Sequence, residues 1–130
     1  MIQIQVNGKP ISVNAAYRRG NGRRLYKTRE ATVWQRDVIQ AAMDAMGEKD
    51  CSIKVPLYIT IEYWFRTRAC DVGNYDKLIL DALEGIVFDN DNCVQKLTLI
   101  KNIDKENPRV KIEVEVDPKY VTSLMGETQC

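Results

Sequence analysis

From Ile53 to Phe65 every second residue is apolar: Ile53, Val55, Leu57, Ile59, Ile61, Tyr63 and Phe65. A helix would scatter these side chains around its axis. A strand puts all of them on one face, so the spacing predicts a strand over 53–65. An apolar face of that length has to be covered, which commits the rest of the chain to supplying a second layer. Pro56 lacks an amide hydrogen and predicts either an edge position or a late entry into pairing.

The remaining segments supply that layer and widen the sheet. Ile2, Ile4 and Val6 alternate ahead of Asn7-Gly8, which reads as a strand and a turn. Residues 9–28 hold Pro10, Gly20 and Gly22 without any period and predict a long irregular loop, a kind of segment that is usually functional or disordered. A helix is expected from Thr28 to Met46, with Val33, Val38, Ala41, Ala42 and Ala45 on a shared face and Gly47 ending it. After the polar connection RTRACDVG, a second helix is expected over 74–84. Its Tyr75, Leu78, Ile79, Ala82 and Leu83 form a buried stripe, and Gly85 stops it. Strands follow at 94–100 and 109–116, joined by a turn around DKENP. The last alternates Val110, Ile112, Val114 and Val116 with charged residues, so one face is wet. The order predicts an α+β fold of two layers, a mixed β-sheet with two main helices on one face. Residues 1–116 form the expected domain and 117–130 a polar C-terminal tail.

Composition narrows the chemistry. The chain has 130 residues, 45% hydrophobic and 28% charged, as a soluble globular domain does. It shows no signal-peptide pattern and no apolar run of membrane length, so a cytoplasmic protein without a membrane partner is expected. There is no histidine, and Cys51, Cys70, Cys93 and Cys130 are far apart. A zinc site, a disulfide framework and an imidazole base are thereby disfavoured. Carboxylates, lysine, tyrosine and cysteine remain for any acid–base or metal chemistry.

The net charge of +1 conceals two opposed regions. Arg18, Arg19, Arg23, Arg24, Lys27, Arg29 and Arg36 stand against Glu30 alone between residues 17 and 36. Asp71, Asp76, Asp81, Glu84, Asp89 and Asp91 then gather around the single cation Lys77. Such a division suits a polyanionic ligand and a cation that lets acids face it. On a helical wheel Asn74, Lys77, Asp81 and Glu84 fall within roughly 80°, opposite the apolar stripe. Taken singly, Asp71 reads as a helix cap, Lys77 with Asp81 as an i, i+4 pair, and DNDN as a turn. DNDN also fails the calcium-loop pattern, since Val94 stands where its glycine belongs. Together, the oxygen ligands favour magnesium or manganese, and a tight return after Gly85 would bring Asp91 back to the helix face. A hard cation and a lysine beside a basic loop are the means of hydrolysing a phosphodiester.

These motifs resemble a known family. Asp71-Val-Gly73-Asn74-x-x-Lys77-x-x-x-Asp81-Ala-Leu, then Phe88-Asp89-Asn90-Asp91-x-x-Val94, is similar to the signature of the RusA family of Holliday-junction resolvases. Pro10-x-Ser12-x-Asn14-x-x-Tyr17-Arg18, Gly22-Arg23 and Trp34-x-Arg36 resemble the basic loop and first helix of the same family, so the resemblance spans about residues 2 to 116. It implies an endodeoxyribonuclease typical of phages and prophages, acting in DNA recombination and repair. Such an enzyme uses Mg²⁺ (or Mn²⁺), needs no nucleotide cofactor, and cuts four-way DNA junctions as a homodimer. It implies Asp71 and Asp91 as metal-binding acids, Lys77 as the catalytic lysine, and Asn74, Asp81, Asp89 and Asn90 as supporting positions. Asn14, Tyr17, Arg18, Arg19, Arg23, Arg24, Lys27 and Arg36 would grip phosphates of branched DNA. Tyr17 or Tyr26 would stack near the junction centre or pack within the loop, while Trp34 belongs to the core. The chain departs from the family where Gly73 and Asn90 replace expected acids. The missing ligand is then a water, Asp81, Asp89, or nothing, and in the last case the chain is a weakened or inactive junction binder. The strand at 53–65 or the first strand would form the dimer interface.

Overall fold

A computed structural model describes residues 1–20, 22, 24–47 and 52–123. Arg23, Cys51 and Cys130 lie outside these described residues. The elements run β1 (Ile2–Asn7), α1 (Val13–Ala16), β2 (Tyr17–Arg19), β3 (Leu25–Lys27), α2 (Arg29–Met46), β4 (Leu57–Phe65), α3 (Asp76–Leu83), β5 (Val94–Ile103), β6 (Arg109–Val116) and α4 (Pro118–Ser123). Single 3-10 turns at Val72–Asn74 and Asp91–Cys93 flank α3 and its return. The architecture is α+β, as the element order implied.

The main sheet has the order β1-β6-β4-β5. β1 and β4 both run antiparallel to β6, whereas β4 and β5 are parallel. The mixed sheet follows from the connections: two parallel neighbours need a crossover, and α3 is that crossover. The alternation in β4 is realised completely. Leu57, Ile59, Ile61, Tyr63 and Phe65 are all buried, beside Ile112 and Val114 of β6 on the same face of the sheet. Ile4 and Val6 of β1 extend the same face, and Leu78, Ile79, Ala82 and Leu83 of α3 close over it.

Several expectations are corrected. The strand expected over 53–65 begins at Leu57; Ile53 makes only an isolated bridge to Phe88. Pro56 has no donor for the ladder, and its carbonyl instead accepts the Asp117 N–H at 2.9 Å. Late entry is thus the meaning of Pro56. β4 is not an edge, because β5 and β6 pair with both its sides, which removes it as a backbone-pairing dimer interface. The helix expected over 74–84 divides into the 3-10 turn and α3 proper. On α2 the buried face is Ala31, Trp34, Gln35, Val38, Ala42 and Met46, while Val33 and Ala45 face solvent. Trp34 has the larger apolar surface to bury and wins the inward position. The loop expected over 9–28 contains α1 and an antiparallel hairpin of β2 and β3. Ser12 caps α1 by accepting the Ala15 N–H at 3.1 Å, and the Thr28 N–H closes the hairpin on Ala16 O at 2.7 Å. Within the expected tail, Asp117 is buried and precedes α4, with its carboxylate accepting the Lys119 N–H at 2.8 Å. Among the described residues no helix is long and apolar enough to cross a membrane.

Candidate active site

α3 carries two chemically different faces because its period is helical on both. Its apolar stripe is buried, and Lys77, Asp81 and Glu84 all point to solvent. The Lys77 Nζ donates to Asp81 Oδ2 at 3.3 Å across one helical turn. That hydrogen bond and the Asp81 charge hold the Lys77 ammonium above the ordinary lysine range, with smaller contributions from Tyr17 and Asp91 and a partial opposing effect of desolvation. Lys77, like any unburied lysine, is a cation near neutral pH, suited to charge stabilisation rather than to proton abstraction.

The two flanking acids approach α3 from different ends. Asp71 caps the 3-10 turn ahead of it, where one carboxylate oxygen accepts the Gly73 N–H at 3.2 Å. The loop before Asp71 is clasped by Lys101 of β5, whose Nζ donates to Arg68 O at 2.7 Å and to Cys70 O at 2.6 Å. Behind it, Tyr75 packs at 4.8 Å from the Phe65 ring and 5.8 Å from Tyr63. Burial, then Cys70 and the Asp71 charge, push the Tyr75 phenol up to about 12, so it stays neutral. Asp91 sits where the chain returns beside the C-terminal end of α3. Its N–H donates to Glu84 Oε2 at 3.1 Å, and its carboxylate is exposed within electrostatic reach of Lys77. The chain after Gly85 thus brings Asp91 to Glu84 at the end of α3, while Asp71 stands ahead of the helix and Lys77 and Asp81 lie on the turns between.

The other supporting positions serve the backbone in visible ways. Asn74 is half-buried and donates its N–H to Asp71 O at 3.0 Å. Asp89 is exposed, and its N–H donates to Ile53 O at 2.8 Å. Asn90, where an acid was expected, uses its side-chain oxygen to accept the Asn92 N–H at 2.9 Å and so caps the turn that starts at Asp91. Gly73 has no positive φ, and a Cβ there would meet only Asp71 Oδ1, at 3.6 Å.

No group of three or more carboxylates or cysteines is placed to hold a metal ion among the described residues. The donor type suits a hydrated hard cation, although Asp71 and Asp91 reach α3 from opposite ends. Asp71 and Asp91 are exposed oxygen donors, and magnesium commonly retains waters and takes one or two carboxylates together with substrate phosphates.

The basic residues divide by element. Arg18 and Arg19 lie on β2, Lys27 on β3, Arg24 just before β3, and Arg36 on α2, and all are exposed. Asn14 is exposed on α1. Tyr17 is half-buried and close enough to Lys77 to influence its charge. The Tyr26 ring lies over Gly20, where an added Cβ would sit 3.4 Å from Cδ1; the glycine admits the ring. Trp34 is buried as expected.

Of three positioning side chains, two had no local sequence signal. Lys101 reaches a loop 31 and 33 residues away, and Gln35 reaches Leu78 43 residues away. Only Glu84 was hinted at, by sharing the helix face of Lys77 and Asp81.

A search of curated proteins finds no match to this sequence. The sequence model of endodeoxyribonuclease RusA matches residues 7–115, a span that holds the basic hairpin, α3 and both flanking acids. With a match over most of its length, the chain belongs to the endodeoxyribonuclease RusA family.

Proposed function

We propose that this protein is a structure-selective endodeoxyribonuclease that cuts four-way DNA junctions in a Mg²⁺-dependent reaction during recombination and repair. Family membership supports phosphodiester hydrolysis on DNA. The observation that carries the finer reading is Lys77, an exposed ammonium 3.3 Å from Asp81 Oδ2, with Asp91 and the hairpin residue Tyr17 both within electrostatic reach.

In this reading Arg18, Arg19, Arg23, Arg24, Lys27 and Arg36 bind backbone phosphates, and Asn14 and Tyr17 line the same approach. Contacts of this kind fix register without reading bases, which suits recognition of a branch rather than a sequence. Lys77 neutralises charge that develops on the scissile phosphate. Asp81 orients Lys77 through their hydrogen bond, and Glu84 and Asn90 hold the turn that presents Asp91. Asp71 and Asp91 would hold the hydrated Mg²⁺, which when bound supplies positive charge on the phosphoryl oxygens and a more acidic water. Asn74 and Asp89 fix the backbone around the two acids. Two symmetric cuts call for a two-fold dimer. Among the described residues β1 and β5 each pair on one side only, so an edge remains for such an interface.

A second reading is favoured by the absence of any carboxylate at Gly73, together with the lack of a three-acid cluster among the described residues. It makes the chain a junction-binding protein with weak or no cleavage. One experiment separates the two. The parent chain and Gly73→Asp are incubated with a labelled four-way junction in Mg²⁺, in Mn²⁺ and in chelator. Paired symmetric cuts by the parent in Mg²⁺ support the nuclease. Binding without cutting by the parent, with cutting by Gly73→Asp, supports the second reading. Failure of both chains to bind or cut the junction overturns both.

A further inference from the structure

Gln35 and Asp117 are the buried polar side chains among the described residues, and Asp117 is engaged locally with Lys119. Gln35 is different, because both ends of its amide are committed to other elements. Its Oε1 accepts from Lys27 Nζ at the end of the basic hairpin. Its Nε2 donates to Leu78 O in α3 at 2.9 Å, in a buried contact. One side chain of α2 thus touches both the element that carries the cations and the helix that carries Lys77.

Backbone satisfaction does not require this arrangement. Leu78 lies four residues before Ala82 inside α3, so its carbonyl belongs to the helical ladder, and the Gln35 bond takes the second lone pair. An apolar residue of similar volume would fill the space between α2 and α3 without a buried amide to satisfy. What the amide adds is direction. The two bonds fix where Lys27 ends relative to residue 78, the immediate neighbour of Lys77. A second link agrees with this: Tyr17, paired with Lys27 in the hairpin register, is close enough to Lys77 to affect its protonation.

We propose that Gln35 is a positioning residue that locks the basic hairpin to α3, so that a DNA phosphate held by the hairpin is presented to Lys77. The lock itself is a property of the fold; its consequence for cleavage rests on the nuclease reading above.

The test uses the full chain, with Gln35→Met as a volume-matched variant that removes both bonds. Amide hydrogen exchange across 17–28 is expected to accelerate about tenfold, corresponding to loss of local rather than global stability. Junction affinity is expected to change by less than about threefold, because the hairpin cations remain. The single-turnover cleavage rate at saturating junction is expected to fall about tenfold, since misplacement of a reacting group costs rate rather than binding. A filler role for Gln35 would lower the melting temperature and leave that rate unchanged. Unchanged hairpin exchange overturns the proposal, and so does accelerated exchange with an unchanged saturating rate. If Gln35→Met does not fold, Lys27→Met opens the same link from the surface. A loss of saturating rate then supports the lock. Weaker binding with a salt slope reduced by about one and an unchanged rate means a plain phosphate contact and overturns it. Cleavage is read in whichever of the parent and Gly73→Asp backgrounds cuts. If neither cuts, the nuclease reading fails, and the exchange result alone decides whether the lock exists.

Discussion

Replacing Gly73 by aspartate should make the stability of this protein depend more strongly on a divalent cation. The new Cβ would lie 3.6 Å from Asp71 Oδ1, with no other heavy atom within 4 Å. The backbone there has no positive φ, so the substitution introduces no strain. Removing a glycine reduces the freedom of the unfolded chain and stabilises by about 0.4–1 kcal/mol. Against that, two carboxylates about 4 Å apart repel by about 1 kcal/mol in water and by about 4 at an effective dielectric of 20. Both positions are exposed, so the lower end applies and salt will screen it. In chelator and low salt the variant should therefore melt close to the parent or slightly below it, by at most about 1 kcal/mol. With Mg²⁺ at about a hundred times its dissociation constant, binding to the folded state adds about 2.7 kcal/mol. For a chain of this size that should raise the melting temperature by about 10 °C over the chelator value, a larger rise than the parent shows. The assay is thermal melting of both chains across a Mg²⁺ titration, at low and high NaCl. A Gly73→Asp chain whose melting temperature ignores Mg²⁺ refutes the placement of a cation beside Asp71.

Three further outcomes are expected. Lys77→Met should reduce the saturating cleavage rate by about 10²–10³-fold with little change in junction affinity, as for loss of one preorganised transition-state contact; an equal loss in affinity would make Lys77 an ordinary phosphate contact. Because Asp81 raises the Lys77 ammonium, Asp81→Asn should move the alkaline limb of the cleavage profile to lower pH, and an unmoved limb would mean that Lys77 protonation does not govern the rate. Tyr63 is fully buried, and its hydroxyl has no hydrogen-bond partner among the described residues; Tyr63→Phe should therefore stabilise by about 1 kcal/mol in chemical denaturation, whereas destabilisation would reveal a partner for that hydroxyl.

Local pattern carried much of the architecture. The alternation through β4 and the stripe of α3 are repeats that only one backbone period can bury, so the type of both elements was readable, though not where each begins. The charged face of α3 was legible for the same reason. The hairpin was not, because strands of three residues, one of them holding two arginines, show no period. The inward face of α2 was misread because its small residues fit several helical faces, and contact with β1 and α3 selects among them.

The sequence by itself determined that the long periodic segments become β1, α2, β4, α3, β5 and β6 and which side chains can supply cations and oxygen ligands, since these depend on neighbours within a turn or two. Only the tertiary structure decided where β4 begins, how Asp71 and Asp91 approach α3, and which side chains hold the site in place. Pro56 meets Asp117, Lys101 clasps the loop before Asp71, and Gln35 joins Lys27 to Leu78. Each of these bonds depends on the path of the backbone between distant residues, and sheet order and helix packing set that path.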